Sequence, residues 1–213
     1  MFFTMLLAAT AADCSTMLLR AKEWSVAYWK ALILTVLTVL YGCIGAKLLY
    51  IFENPGSPFL SAVGFSFFGS VFLELIMLPL TGWLLGIGME RGLSFCAPCI
   101  PLTLGFMRIA CFVEGCCHGK VIIIDGHPFM IPTQLMELVV AAIIFVYLLR
   151  REKTNKEKLY PVFMVFYGTA RFLMEFLRTN RIVVAEMTLG HIFALVCLIL
   201  GIVLLRMKGG SKQ

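Results

Sequence analysis

Charge is scarce in this chain, and its scarcity excludes an ordinary soluble domain. Only 14% of the 213 residues are Asp, Glu, Lys or Arg, while 61% are apolar; a globular domain carries about 25% charged residues. Long polar stretches are lacking as well, so no separate soluble domain fits between the apolar runs. A positive segment ahead of the first run is missing, and Ala11, Ala12 and Asp13 before Cys14 make a poor cleavage or lipidation signal. We therefore expect the first run to be a retained anchor. Internal repeats are absent too, and the punctuation at Asn54-Pro55-Gly56 and Gly126-His127-Pro128 marks loops, not domain linkers.

What the chain has is apolar runs at the length of a bilayer. About 20 apolar residues cross the hydrocarbon core as a helix. Seven runs qualify: 1–19, 31–52, 59–88, 93–113, 133–149, 160–178 and 188–206. The expected fold is all-α, a polytopic membrane protein of about seven transmembrane helices forming one domain over 1–213. The net charge of +6 does not indicate nucleic acid, because the basic residues occupy alternate loops: 20–30, Arg91, the run from Arg150, and the tail Arg206, Lys208 and Lys212. Placing those loops in the cytoplasm gives N-terminus out and C-terminus in. Arg178 and Arg181 are the exception, since this topology puts them outside.

Ionisable groups within membrane spans are costly and face a partner or a wet cavity. The misfits are Lys47, Glu74, Arg108, Glu137, Arg171 and Glu175. All but Glu74 fall toward the outer leaflet in this topology. Tyr167, Arg171 and Glu175 recur every four residues on one helix face, with Arg178 three further on; Gln134 and Glu137 share a face likewise. Mutual neutralisation of Arg171 and Glu175 would suffice for that pair, but it leaves Arg108 and Lys47 unexplained. Three cations (Lys47, Arg108, Arg171) against two carboxylates suit an anionic phospholipid, whose phosphate matches the arginine fork.

Eight cysteines are too scattered for a disulfide scaffold. Cys14, Cys43 and Cys197 sit alone in apolar runs as small hydrophobes. Cys96 and Cys99 form a C-x-x-C at the inner start of the fourth run. Cys111 is about 22 Å from Cys96 along a continuous helix, so the two groups cannot share a site. Cys116, Cys117 and His118, followed by Gly119 and Lys120, lie at the outer interface. Three roles are open to them: a nucleophile or acid–base group with His118 as proton acceptor, a redox pair, or a metal site including Cys111. The spacing departs from the two-residue knuckles of metal sites, so neither metal nor cofactor is expected.

The segment "MRIACFVEGCCHG" (Met107 to Gly119) resembles the hallmark G-R-I-G-N-F-I-N-G-E-x-x-G of the prolipoprotein diacylglyceryl transferase family, matching at Arg108, Phe112, Gly115 and Gly119. "IPTQLME" (Ile131 to Glu137) resembles that family's H-P-S-Q-L-Y-E. "YGTARFLMEFLR" (Tyr167 to Arg178) meets Y-G-x-x-R-F-x-x-E-x-x-R in full. The resemblance spans about Gly45 to Arg178. It implies a seven-span enzyme of the bacterial inner membrane that moves the diacylglyceryl group of phosphatidylglycerol to the lipobox cysteine of a secreted or membrane-bound acceptor, releasing glycerol-1-phosphate. It implies further that Arg108 and Arg171 hold and activate the phospholipid, with Tyr167, Glu137 and Glu175 lining the cavity. Lys47, Cys111, Gly119 and Gln134 complete the expected substrate-binding set; Cys116, Cys117 and His118 join Arg108 and Arg171 as expected catalytic residues. The chain departs from the family where Phe68 replaces the histidine of S-F-H-G, where Cys111 replaces the hallmark asparagine, and where Glu114-Gly115-Cys116 replaces N-G-E. A membrane thiol oxidoreductase using Cys116 and Cys117, or a lipid-binding assembly factor without catalysis, are the alternatives.

Overall fold

A computed structural model describes residues 2–58, 64–124, 127–178, 182–184 and 187–207. The elements run α1 (Phe2–Ala21), α2 (Tyr28–Glu53), α3 (Phe67–Leu84), α4 (Met89–Cys96), α5 (Cys99–Val113), β1 (Val121–Ile124), β2 (His127–Met130), α6 (Thr133–Glu152), α7 (Leu159–Glu175), β3 (Ile182–Val184), β4 (Met187–Thr188) and α8 (Leu189–Arg206). Arg181, Gly126, Lys208, Lys212 and the start of the third expected run, 59–63, lie outside the described residues.

The all-α polytopic architecture follows from the hydropathy. Among the described residues, α1, α2, α3, α6, α8 and the α4–α5 pair are six helical segments long and apolar enough to cross a membrane. The run expected at 160–178 forms α7, which is 17 residues long, about 26 Å. Eleven of those residues are buried, Arg171 and Glu175 among them. A helix enclosed by its neighbours need not present an apolar surface to lipid, so α7 can carry the charges that the other helices exclude.

One span is not continuous as expected. Pro98 lacks the amide that would close the turn between α4 and α5. The break leaves Cys96 and Cys99 fully buried and packed against Trp24 and Phe95. Between α5 and α6 the chain forms an antiparallel hairpin, Val121 opposite Met130 and Ile124 opposite His127. His127 therefore begins a strand and is not only a turn residue.

Helix α2 crosses α3 at Gly45 and Gly69; a Cβ on Gly45 would lie 2.3 Å from the Gly69 carbonyl oxygen, so only glycine permits the approach. Behind this crossing the core runs through Phe68, Phe163, Tyr167 and Phe193. Phe68, at the family's histidine position, is buried with its ring 5.6 Å from that of Tyr167.

The basic segments gather at one end of the bundle. Arg91 donates to the Trp24 carbonyl, Lys156 to Glu23, Lys158 to Leu205 and Lys30 to Leu85. Arg20 and Glu152 close this end with a buried pair, 2.9 Å from Nε and 2.5 Å from Nη2; Arg20 also donates to the Phe95 carbonyl at 2.8 Å. Arg108, Cys116, Cys117 and Arg178 lie at the opposite end.

Candidate functional site

Three helices bring the site together. Helix α5 supplies Arg108 near its last turn, α6 supplies Gln134 and Glu137 in its first two turns, and α7 supplies Tyr167, Arg171 and Glu175 from one face. Glu137 is the hub: its carboxylate is 2.7 Å from Arg108 Nε, 3.1 Å from Arg171 Nη1 and 3.2 Å from Arg178 Nη1. Arg171 Nη2 reaches Glu175 at 2.8 Å, the four-residue pair that the sequence spacing predicts. All of these side chains are at most 12% exposed.

The census of charge differs from the sequence expectation in one member. Arg178, which the sequence topology puts outside, turns inward onto Glu137. The turn after α7 is pinned, because Lys120 N donates to the Leu177 carbonyl at 2.7 Å and Gly119 pairs with Arg178 as an isolated bridge. Lys47 sits apart at the α2–α3 edge; its Nζ donates to the Gly64 carbonyl and faces the rings of Tyr50 and Phe65. Three guanidiniums thus meet two carboxylates in direct ion pairs, one cation more than there are carboxylates. The Tyr167 hydroxyl is buried in the core beneath, with no partner among the described residues.

Helix α8 fixes the far side. Thr188 Oγ1 donates to Glu175 Oε1 at 2.7 Å and caps the helix by accepting from His191 N, while His191 Nδ1 accepts from Thr188 N at 3.2 Å. His191 thus completes a capping box at the start of α8. Thr188 was not legible as part of the site, since a threonine at a helix start reads simply as a cap.

Gln134 and Gly119 serve the loop between α5 and α6. Gln134 Nε2 donates to the Cys116 carbonyl at 2.6 Å, and Thr133 Oγ1 to the Cys117 carbonyl at 3.0 Å. A Cβ at Gly119 would lie 2.6 Å from the Leu177 carbonyl oxygen, so glycine is required where this loop crosses α7's exit.

The end of α5 arranges the thiols. Cys116 N donates to the Cys111 carbonyl at 3.0 Å and Gly115 N to that of Phe112 at 3.2 Å, with Gly115 at φ 67°. That is a Schellman closure, with glycine in the left-handed position it favours. Cys117 is left-handed as well, at φ 62°, unusual for a side-chain-bearing residue. The chain therefore doubles back, and the sulfurs of Cys111, Cys116 and Cys117 all lie within 4.8 Å of one another. His118 is not among them; its Nδ1 lies 3.1 Å from the Gly119 carbonyl oxygen. The hydrogen bond from Cys111, together with the charges of Arg108 and Arg178, holds the Cys117 thiol well below its usual range against the effect of burial. Burial and the neighbouring Cys117 charge push Cys116 up. Arg108 Nη1, 3.9 Å from Cys111 Sγ, joins the thiols to the arginine cluster.

One turn inward from Arg108 and Glu137, α5 and α6 enclose an apolar groove of about 130 Å³ lined by Gly105, Ile109, Leu138 and Ala141 among others.

The phosphatidylglycerol–prolipoprotein diacylglyceryl transferase of Clostridium tetani is 25% identical over 202 residues, covering 84% of this chain and 81% of the relative. Those of Francisella tularensis subspecies novicida and tularensis are 32% identical over 176 residues, covering 75% of this chain and 66% of theirs. The family model for prolipoprotein diacylglyceryl transferase matches residues 2–207. With its arginines, glutamates and tyrosine placed on three adjoining helices and nearly the whole chain matched, this protein belongs to the prolipoprotein diacylglyceryl transferase family of membrane transferases.

Proposed function

We propose that this chain transfers the diacylglyceryl group of phosphatidylglycerol to a cysteine thiol of a secreted or membrane-bound acceptor, in a bacterial inner membrane, with its N-terminus out and C-terminus in. The observation that carries the reading is the buried three-to-two cluster of Arg108, Arg171 and Arg178 with Glu137 and Glu175. A single phosphate diester balances the surplus. Its non-bridging oxygens compete with Glu137 for the guanidinium forks, and an acyl chain follows the α5–α6 groove. When the acceptor sulfur forms its bond to the glycerol carbon, the carbon–oxygen bond to phosphate breaks. The electron pair departs on the phosphate oxygen, where fixed guanidinium charges stabilise it.

The cysteines are not covalent carriers in this scheme. A diacylglyceryl group on a protein thiol is a thioether, a poor leaving group, so a relay through Cys117 would stall. Phe68 rules out the family's histidine as a base at that position, and the thiols stand at the mouth where the acceptor arrives. A second reading, thiol oxidoreduction, is favoured by the sulfur proximity alone.

Purified protein in lipid, given headgroup-labelled phosphatidylglycerol and a lipobox peptide, distinguishes them. Transfer yields glycerol-1-phosphate and a matching mass gain on the peptide cysteine. Thiol–disulfide cycling without any headgroup release would reject transfer and leave the redox reading.

A further inference from the structure

The three sulfurs at the mouth have a geometry that the transfer reading does not use. A tetrahedral zinc–thiolate site has zinc–sulfur bonds of about 2.3 Å, which set its sulfurs about 3.8 Å apart. Cys111, Cys116 and Cys117, mutually within 4.8 Å, need only a small inward adjustment to reach that spacing. The sequence spacing hides this, because convergence comes from the Schellman closure at Gly115 and the left-handed Cys117, not from a two-residue knuckle. The arrangement is also braced from outside: Gln134 and Thr133 hold the carbonyls of Cys116 and Cys117, and Arg108 contacts the Cys111 sulfur. Three thiolates with one divalent cation carry one net negative charge, with the Arg108 guanidinium in contact at Cys111. Cys116 and Cys117 are exposed, so one side of the bowl is open.

We propose that Cys111, Cys116 and Cys117 form a three-thiolate zinc site whose open fourth position binds the acceptor thiol and activates it, in place of the missing histidine. The inference rests on the transfer reading for its use, though not for its existence. Structural zinc sites are closed by four protein ligands, whereas three ligands leave a position for substrate. A thiol coordinated there is deprotonated outright, its proton passing to water. The sulfur then keeps its lone pair for the glycerol carbon, next to the arginines that receive the departing phosphate. His118 stays outside the ligand set, consistent with its position against Gly119.

The test loads the full-length protein, reduced and in lipid, with Zn(II), and separately with Co(II) as the spectroscopic probe. The expected result is one ion per chain and a thiolate-to-cobalt charge-transfer band. The ligand-field bands should shift when a cysteine-containing lipobox peptide is added and stay unchanged with its serine counterpart. Losing an outer-shell partner of a metal costs about 10–100-fold in affinity, so Cys111→Ser, Cys116→Ser and Cys117→Ser should each cost at least about tenfold. Cys14→Ser and Cys43→Ser should leave binding unchanged. Failure to retain either ion, equal binding by the three serine variants, a spectrum indifferent to the peptide thiol, or a disulfide among the three in protein isolated without reductant would each overturn the proposal. Ion binding that persists while no headgroup is released would reject the transfer reading instead, so the two fail separately.

Discussion

Two buried ion-pair groups close the two ends of this bundle, and their stoichiometry separates them. At the basic end Arg20 meets Glu152 one to one, with Nη1 satisfied by the Phe95 carbonyl and the guanidinium 5.6 Å from the Trp24 ring centre. Within that pair the two charges match one to one among the described residues. At the other end three arginines contact Glu137, one of them also Glu175, and a tyrosine hydroxyl below them has no partner among the described residues. A balanced pair joins α1 to α6. An unbalanced one suits the anionic phospholipid we propose. Burial alone does not tell the two apart; the count of charges and hydrogen bonds does.

The comparison breaks most visibly at the balanced end. Glu152→Ala should leave Arg20 charged and buried, costing about 3–5 kcal/mol of stability. The paired Arg20→Met/Glu152→Leu change should restore most of it, since apolar replacement of a buried pair is often neutral. Reversible unfolding in detergent checks both, and phosphatidylglycerol should rescue neither single variant. If lipid did rescue Glu152→Ala, the basic end would be a binding site too.

At the unbalanced end, the loss should appear in turnover before stability. Arg171→Ala or Arg108→Ala should lower headgroup release by about 100- to 1,000-fold, the range for removing one preorganised group from a developing charge. Thermal unfolding of Arg108→Ala should stay within a few degrees of wild type, because Glu137 keeps two guanidiniums, whereas Arg171→Ala should also lose stability, since it takes the paired cation from buried Glu175. A large stability loss with retained turnover would make this end structural as well.

Arg178→Ala sharpens the contrast within the cluster. From sequence it belongs to the exposed end of a helix and should matter little. In the structure it shares Glu137 with Arg171 and is as enclosed as Arg108. About a tenfold drop in phospholipid affinity is expected, measurable by lipid titration. No drop would return Arg178 to the periphery.

How much of this was legible depends on how local each signal is. Apolar run length located the helices, and the four-residue spacing of Tyr167, Arg171 and Glu175 gave their shared face, because both are properties of a single segment. Glu137 and the arginines, 34 and 41 residues apart for Arg171 and Arg178, could be grouped only as charges at a common depth. Arg20 and Glu152 are 132 residues apart, and each reads as an interfacial charge at the end of its own helix, so their pairing was invisible. The thiol bowl was hidden for a different reason. Gly115 announces a helix end, but the left-handed turn at Cys117 is set by contacts from Thr133, Gln134 and the α7 exit. The break at Pro98 was legible in principle, since proline removes a helical amide. The hairpin after α5 was not, because its apolar strands are exposed and resemble an interrupted membrane run.

We propose that the cluster around Glu137 holds its extra guanidinium for a phospholipid phosphate. The direct measurement is equilibrium binding of phosphatidylglycerol and of phosphatidylcholine to the protein in neutral-lipid nanodiscs. Wild type, Arg171→Ala and the Arg20→Met/Glu152→Leu pair should be compared side by side. The account predicts at least about a tenfold preference for the anionic lipid, equivalent to about 1.4 kcal/mol. That preference should be lost in Arg171→Ala and kept in the basic-end pair. Equal affinity of wild type for both lipids, or equal loss in the two variants, would contradict it.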